Sequence, residues 1–144
     1  MQTVHTERDF SIPVEKLYDY LSEHENLGAI FGMRVEHIQD GAETRSGAGS
    51  VRRLSLAGVA PFEETVTLAE PNERIEYRIT KGSPLRDHEG RMVFSSTPAG
   101  GSHLDYTIEF GAAIPGVDAL VAAVLRRRIP AGLAKIESEL ATSA

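Results

Sequence analysis

The chain has 144 residues, 41% hydrophobic and 25% charged, which are the proportions of a soluble globular protein rather than a disordered one. That length predicts one domain over residues 1–144, large enough to enclose an internal cavity. The net charge of −6 argues against a nucleic-acid partner, and the absence of cysteine excludes disulfides, thiolate metal sites and a cysteine nucleophile while fitting a cytoplasmic setting.

The N-terminus MQTVHTERDF lacks a basic-then-apolar leader, and no apolar run is long enough to span a bilayer. After a first strand, IPVEKLYDYLSEHENLGAIF places Leu17, Tyr18 and Leu21 at helical spacing behind Pro13, with Gly28 punctuating it. This predicts one amphipathic helix and a short second turn. From Met33 onward the pattern changes to alternating runs separated by turn residues, the mark of antiparallel strands. In FEETVTLAEPNERIEYRIT, Phe62, Val66 and Leu68 share one face, a turn follows at Pro71-Asn72, and Ile75, Tyr77 and Ile79 share a face of the next strand. RMVFSSTPAGGSHLDYTIEF repeats the pattern around Pro98 to Gly101, with Met92 and Phe94, then Leu104, Tyr106, Ile108 and Phe110, facing inward.

The closing stretch carries a helical apolar stripe of Val117, Leu120, Val121, Val124, Leu125, Leu133, Ile136 and Leu140. Pro130 lies inside it and predicts a kink or break near Arg128 to Pro130. Arg126-Arg127-Arg128 reads as a solvated helix face, because consecutive helical residues point about 100° apart and form no flat basic patch.

The order of elements, together with FSIPVEKLYDYLSE, GAGSVRRLSLAG and FEETVTLAEPNERIEYRITKGSPL, resembles the START-like (SRPBCC) superfamily and within it the polyketide cyclase/dehydrase-like branch. The resemblance implies an α+β helix-grip fold, in which a curved antiparallel sheet of about seven strands wraps a long C-terminal helix around a largely apolar cavity. It also implies gating loops at the mouth, placed by position at Gly58-Val59-Ala60-Pro61 and at Gly82-Ser83-Pro84-Leu85-Arg86. The resemblance covers nearly the whole chain but does not carry over a particular ligand.

Strand alternation singles out the polar groups that face such a cavity. Glu64 shares parity with Phe62 and Val66, so a carboxylate stands on an apolar face and must find a cation, donors or a proton. Arg52 is its expected diagonal partner, with Leu54 opposite Glu64. Two readings stay open: a buried Glu64–Arg52 ion pair, or a Glu64 that orients or protonates a ligand. Counting back from Met92 puts His88 and Arg86 on the inner face and Asp87 and Glu89 outside, unless a bulge intervenes. His88 is then an acid/base group, a ligand-orienting group or a satisfied rim histidine. Tyr77 and Tyr106 offer phenols either to the cavity or to local core partners.

The expected ligand-facing set is Arg52, Phe62, Glu64, Tyr77, His88, Met92, Tyr106, Val121 and Leu125, with Val59, Ala60, Pro61, Pro84, Leu85 and Arg86 in the gates. Glu64 and His88 are the catalytic candidates if a reaction occurs. No metal is expected, since the histidines lack ligand spacing and a site would need separate strands. No cofactor is expected either. The partner is a small apolar molecule, polyketide-, sterol- or isoprenoid-like, and a homodimer stays open. The protein is then a carrier, a cyclase or dehydratase, or an interaction module gated by its ligand.

Overall fold

A computed structural model describes residues 1–142; the side chain of Val59 lies outside what it describes. The expected seven strands are present. Strand β1 (Gln2–Phe10) is followed by helix α1 (Val14–Ser22), a 3₁₀ turn (His24–Leu27) and the short helix α2 (Gly28–Phe31). Then come β2 (Arg34–Gln39), β3 (Val51–Leu56), β4 (Val59–Glu70), β5 (Arg74–Lys81), β6 (Leu85–Ser96) and β7 (Ser102–Ala112), and the chain closes with α3 (Val117–Thr142). All neighbouring strands pair antiparallel in one sheet of order β1-β7-β6-β5-β4-β3-β2. Chain-consecutive hairpins from β2 to β7 explain that order, and only β1 joins out of sequence, against β7.

The core sits between the sheet and the helices. Pro13, extended at φ −62, caps α1, and the helix buries Val14, Leu17, Tyr18 and Leu21. From β7, Leu104, Tyr106, Ile108 and Phe110 are all buried, as the alternation predicts. Leu68 is a correction. A bulge between Val66 and Leu68 moves the inner face on to Ala69, which pairs with Ile75 and packs on the core.

The break expected at Pro130 does not occur, and α3 runs from Val117 to Thr142. Proline removes one backbone hydrogen bond from a helix of 26 residues, while Ile129, Leu133 and Ile136 are buried on both sides of it and hold the axis against the sheet. The two halves of the apolar stripe differ. Leu133, Ile136 and Leu140 are buried, whereas Leu120 and Val124 remain 67% and 48% exposed. The first half of α3 therefore stands off the sheet. Among the described residues, no helix is long and apolar enough to cross a membrane.

One glycine fixes the packing beneath this space. Tyr77 on β5 pairs with Gly90 on β6, and a Cβ at Gly90 would lie 2.1 Å from the Tyr77 ring. The ring lies flat across the glycine, which carries its hydroxyl to that of Tyr106 on β7, with which it hydrogen-bonds.

Candidate functional site

Where α3 stands off, a cavity of about 630 Å³ opens between it and the inner face of β3 to β7. The volume lies within the usual range of small-molecule sites. Leu54, Phe62, Ile79, Leu85, Ile108 and Phe110 form the sheet wall, and Val117, Leu120, Val121, Val124 and Leu125 form the helix wall. Phe31, Gly32 and Met33 close one end, and the rim includes Gly58, Ala60 and Gly82 to Pro84. Of the titratable side chains on this lining, Tyr77 is core-paired, and the others are Glu64, His88 and Arg128.

Glu64 and Arg52 sit directly across from one another on β4 and β3, with Leu54 across from Phe62. The chain reverses early, in a tight turn at Ala57-Gly58, and the register then shifts by one between Leu54 and Leu56; together these put Arg52, rather than Leu54, opposite Glu64. Arg52 Nε donates to Glu64 Oε1 at 2.8 Å, and both side chains are almost wholly buried. Glu64 thus lines the cavity as one member of an ion pair. The guanidinium lies 4.4 Å from the centre of the Tyr77 ring, which faces the charge that the carboxylate does not cover. Among the described residues its Nη2 has no hydrogen-bond partner.

The pair continues outward through a residue the sequence reading did not select. Arg52 Nη1 donates to His24 Nδ1 at 3.2 Å, and the opposite ring nitrogen, Nε2, donates to Ser50 Oγ at 3.0 Å. An arginine can only donate, so His24 must accept at Nδ1 and remain neutral. Burial foremost, then the Arg52 charge, pushes its pKa down to about 3. The signal was available: His24 continues the Leu17–Leu21 stripe at helical spacing.

This makes a pH test. Unfolded His24 binds a proton near its ordinary value of 6.5, and the folded residue does so only near 3, so stability is complete above pH 6.5 and declines as pH falls toward 3. Between pH 6.5 and 4.5 the expected loss is about 2 kcal/mol. Urea unfolding of wild type and His24→Gln, which can still accept from Arg52, should show that decline flattened in the variant. Parallel curves would refute it.

His88 reaches the cavity through a bulge. Asp87 has φ +51, and the β6–β7 register slips between Arg86 and Glu89. His88 and Leu85 therefore face the lining while Arg86 turns to solvent, which corrects the expectation that Arg86 shares His88's face. The Ile79 backbone N–H donates to His88 Nδ1 at 3.0 Å, which places the proton of the neutral ring on Nε2. Nε2 lies 3.8 Å from Glu64 Oε2, beyond hydrogen-bond range, leaving its N–H free for a group in the cavity. Burial lowers the His88 pKa, with Glu64 opposing. His88 is therefore a neutral hydrogen-bond donor.

Phe62, Glu64, Tyr77, His88, Val121 and Leu125 come together on the lining. Arg52, Met92 and Tyr106 do not: each is buried beneath the wall, because the sheet's inner face extends past the cavity into the packed core. The Tyr77 and Tyr106 hydroxyls satisfy one another, and burial raises both pKa values. Of the expected gates, Ala60, Pro84 and Leu85 line the cavity. Val59, Ala60 and Pro61 belong to β4 rather than to a loop, and the Val59 side chain lies outside those described. Pro61 and Arg86 are exposed and off the lining.

Two other features lie away from this cavity. His5 and Glu7 on β1 and Asp105 on β7 bring ligand atoms within 4.8 Å of one another on the outer face, where His5 Nε2 already bonds Asp105 at 2.9 Å. A groove of similar volume lies between α1 and residues 42–48, but its lining is more polar than that of the cavity and it is crossed by the Arg45 pairs to Glu23 and Glu25.

Residues 1–141 match the family model described as polyketide cyclase / dehydrase and lipid transport. No curated protein sequence matches the chain. Solved structures share the fold. A START superfamily protein from Mycobacterium smegmatis is 12% identical with a TM-score of 0.79, covering 99% of both chains. The Zhui aromatase/cyclase from Streptomyces sp. R1128 is 22% identical with a TM-score of 0.74, covering 96% of this chain and 93% of that one. The Aha1 dimer from Colwellia psychrerythraea is 14% identical with a TM-score of 0.70, covering 97% and 96%.

Proposed function

The chain belongs to the polyketide cyclase/dehydrase and lipid transport family, and from that premise we propose that it binds one small, mostly apolar molecule, polyketide-, sterol- or isoprenoid-like, in the cavity under α3. The observation that carries this reading is the lining itself, apolar on both walls with few polar groups. Burying about 200 Å² of apolar ligand surface contributes about 5 kcal/mol before ordering costs. The His88 Nε2–H then supplies direction, as a donor to a ligand carbonyl or hydroxyl. Binding requires no cofactor or metal, and the cysteine-free sequence supports a cytoplasmic setting for it.

A second reading, a cyclase or dehydratase, is favoured by one observation: Glu64 and His88 address the same space from 3.8 Å apart. His88 would polarise a carbonyl while keeping its proton, and the Glu64 carboxylate would take the proton from the adjacent carbon to leave an enolate, then return it either to a departing hydroxyl, which leaves as water, or to the oxygen of a second carbonyl that the enolate carbon attacks. The Arg52 pair already engages Glu64, so the binding reading stands first. The same surface suits a homodimer contact, since the cavity-lining Leu56, Leu120 and Val124 are exposed.

Native mass spectrometry tests the proposal. Protein mixed with the neutral apolar probe N-phenyl-1-naphthylamine should carry a single adduct. Protein that stays free of adduct up to about 100 μM probe, weaker than a ligand of that size should bind, would overturn the reading.

A further inference from the structure

We propose that the ligand is an acid: an apolar body bearing one carboxylate, which Arg128 receives at the cavity rim. The inference rests on the cavity being the binding site. Within it the charges are unevenly disposed. Glu64 is neutralised by Arg52, and His88 is held neutral by the Ile79 amide and by burial. Arg128 alone carries a charge with no counter-charge: among the described residues it makes no ion pair or hydrogen bond. Its neighbours Arg126 and Arg127 do not line the cavity, and Arg126 bonds the Thr3 carbonyl. In a chain of net charge −6 with 21 acidic residues, a cation left without a carboxylate on an apolar lining is a specific arrangement.

The guanidinium also lies close against the backbone of α2's end. Gly32 ends α2 in the left-handed region at φ +65, and a Cβ there would lie 1.9 Å from Arg128 Nη1 and 2.6 Å from Cζ. The guanidinium therefore lies against the bare Cα of Gly32, with Phe31 and Met33 on either side lining the same end of the cavity. The flat face rests on backbone and the N–H edge is free. That edge matches the two oxygens of a carboxylate, which it can bind through paired N–H donors. An acid with its apolar part along Val121 and Leu125 would satisfy both the rim charge and the walls.

The test compares decanoate with decanol, equal in chain length and different in charge, each competing with N-phenyl-1-naphthylamine at pH 8, where the carboxylate is ionised. The readout is the ratio of the two dissociation constants, decanoate over decanol. Arg128→Gln should raise that ratio about tenfold, in keeping with loss of a charged hydrogen-bonded contact at a partly exposed site. Arg128→Lys should recover part of it, since it keeps the charge and loses the fork. Because Arg128 is exposed, the fold is not at stake. An unchanged ratio in Arg128→Gln, with the probe bound and displaced, overturns the acid inference and leaves the cavity reading standing. Failure of wild type to bind the probe overturns both.

Discussion

Replacing Arg52 by methionine is expected to destabilise the protein by about 3–5 kcal/mol, because it leaves the Glu64 carboxylate buried without its cation. At this chain length that is a fall in Tm of about 10 °C. Both side chains are almost fully excluded from water, so solvent screening gives no relief. His24 would lose its donor as well, and Tyr77 the cation beneath its ring. The double variant Arg52→Met with Glu64→Leu removes the stranded charge together with the arginine and should recover most of the loss. Calorimetry of the two variants checks both statements. An Arg52→Met Tm within about 2 °C of wild type would mean that the pair is not the buried couple described.

The second large effect concerns binding. Val121 lines the helix wall of the cavity and is only half-buried. Tryptophan at 121 would place an indole in the space meant for the ligand with little disturbance of packed neighbours. N-phenyl-1-naphthylamine should bind wild type with a dissociation constant on the order of 1–100 μM. Val121→Trp should weaken that by about tenfold or more, with stability changed by less than about 1 kcal/mol. Fluorescence titration reads the first quantity and thermal unfolding the second. Equal affinity in the two proteins would place the probe elsewhere.

Much of this arrangement is written in local pattern. Period-two alternation in β4 put Glu64 inside and pointed to Arg52, because a strand face is decided by neighbours along the chain. The same alternation in β7 identified Leu104, Tyr106, Ile108 and Phe110. What alternation cannot convey is register and irregularity. The tight turn at Ala57-Gly58 and the register shift between Leu54 and Leu56 brought Arg52 directly opposite Glu64, and the bulge at Asp87 separated Arg86 from His88. A left-handed residue that is not glycine gives no mark in composition, so a bulge was allowed for on this strand but its position at Asp87 was hidden. Nor does a stripe on α3 say how far along its length the sheet stays in contact. Leu133 and Leu120 belong to the same stripe, yet one is core and the other faces the cavity mouth.

His24 and Arg128 are polar residues of the site that the expected ligand-facing set left out, for different reasons. His24 stood at helical spacing on an apolar stripe, a detectable anomaly of the same kind as Glu64. Arg128 sat in a run of three arginines, and its separation from the other two depends on the contact of α2 with α3 across Gly32, which no local pattern encodes.

The most direct measurement of the central claim locates the probe. Amide and methyl NMR spectra of the labelled protein titrated with N-phenyl-1-naphthylamine should shift the signals of Leu54, Ile79, Ile108, Val121 and Leu125, which surround the cavity, and leave those of Ala42 to Ala48 in place. Shifts confined to the groove beside α1, or scattered over the surface without saturation, would contradict a binding cavity beneath α3.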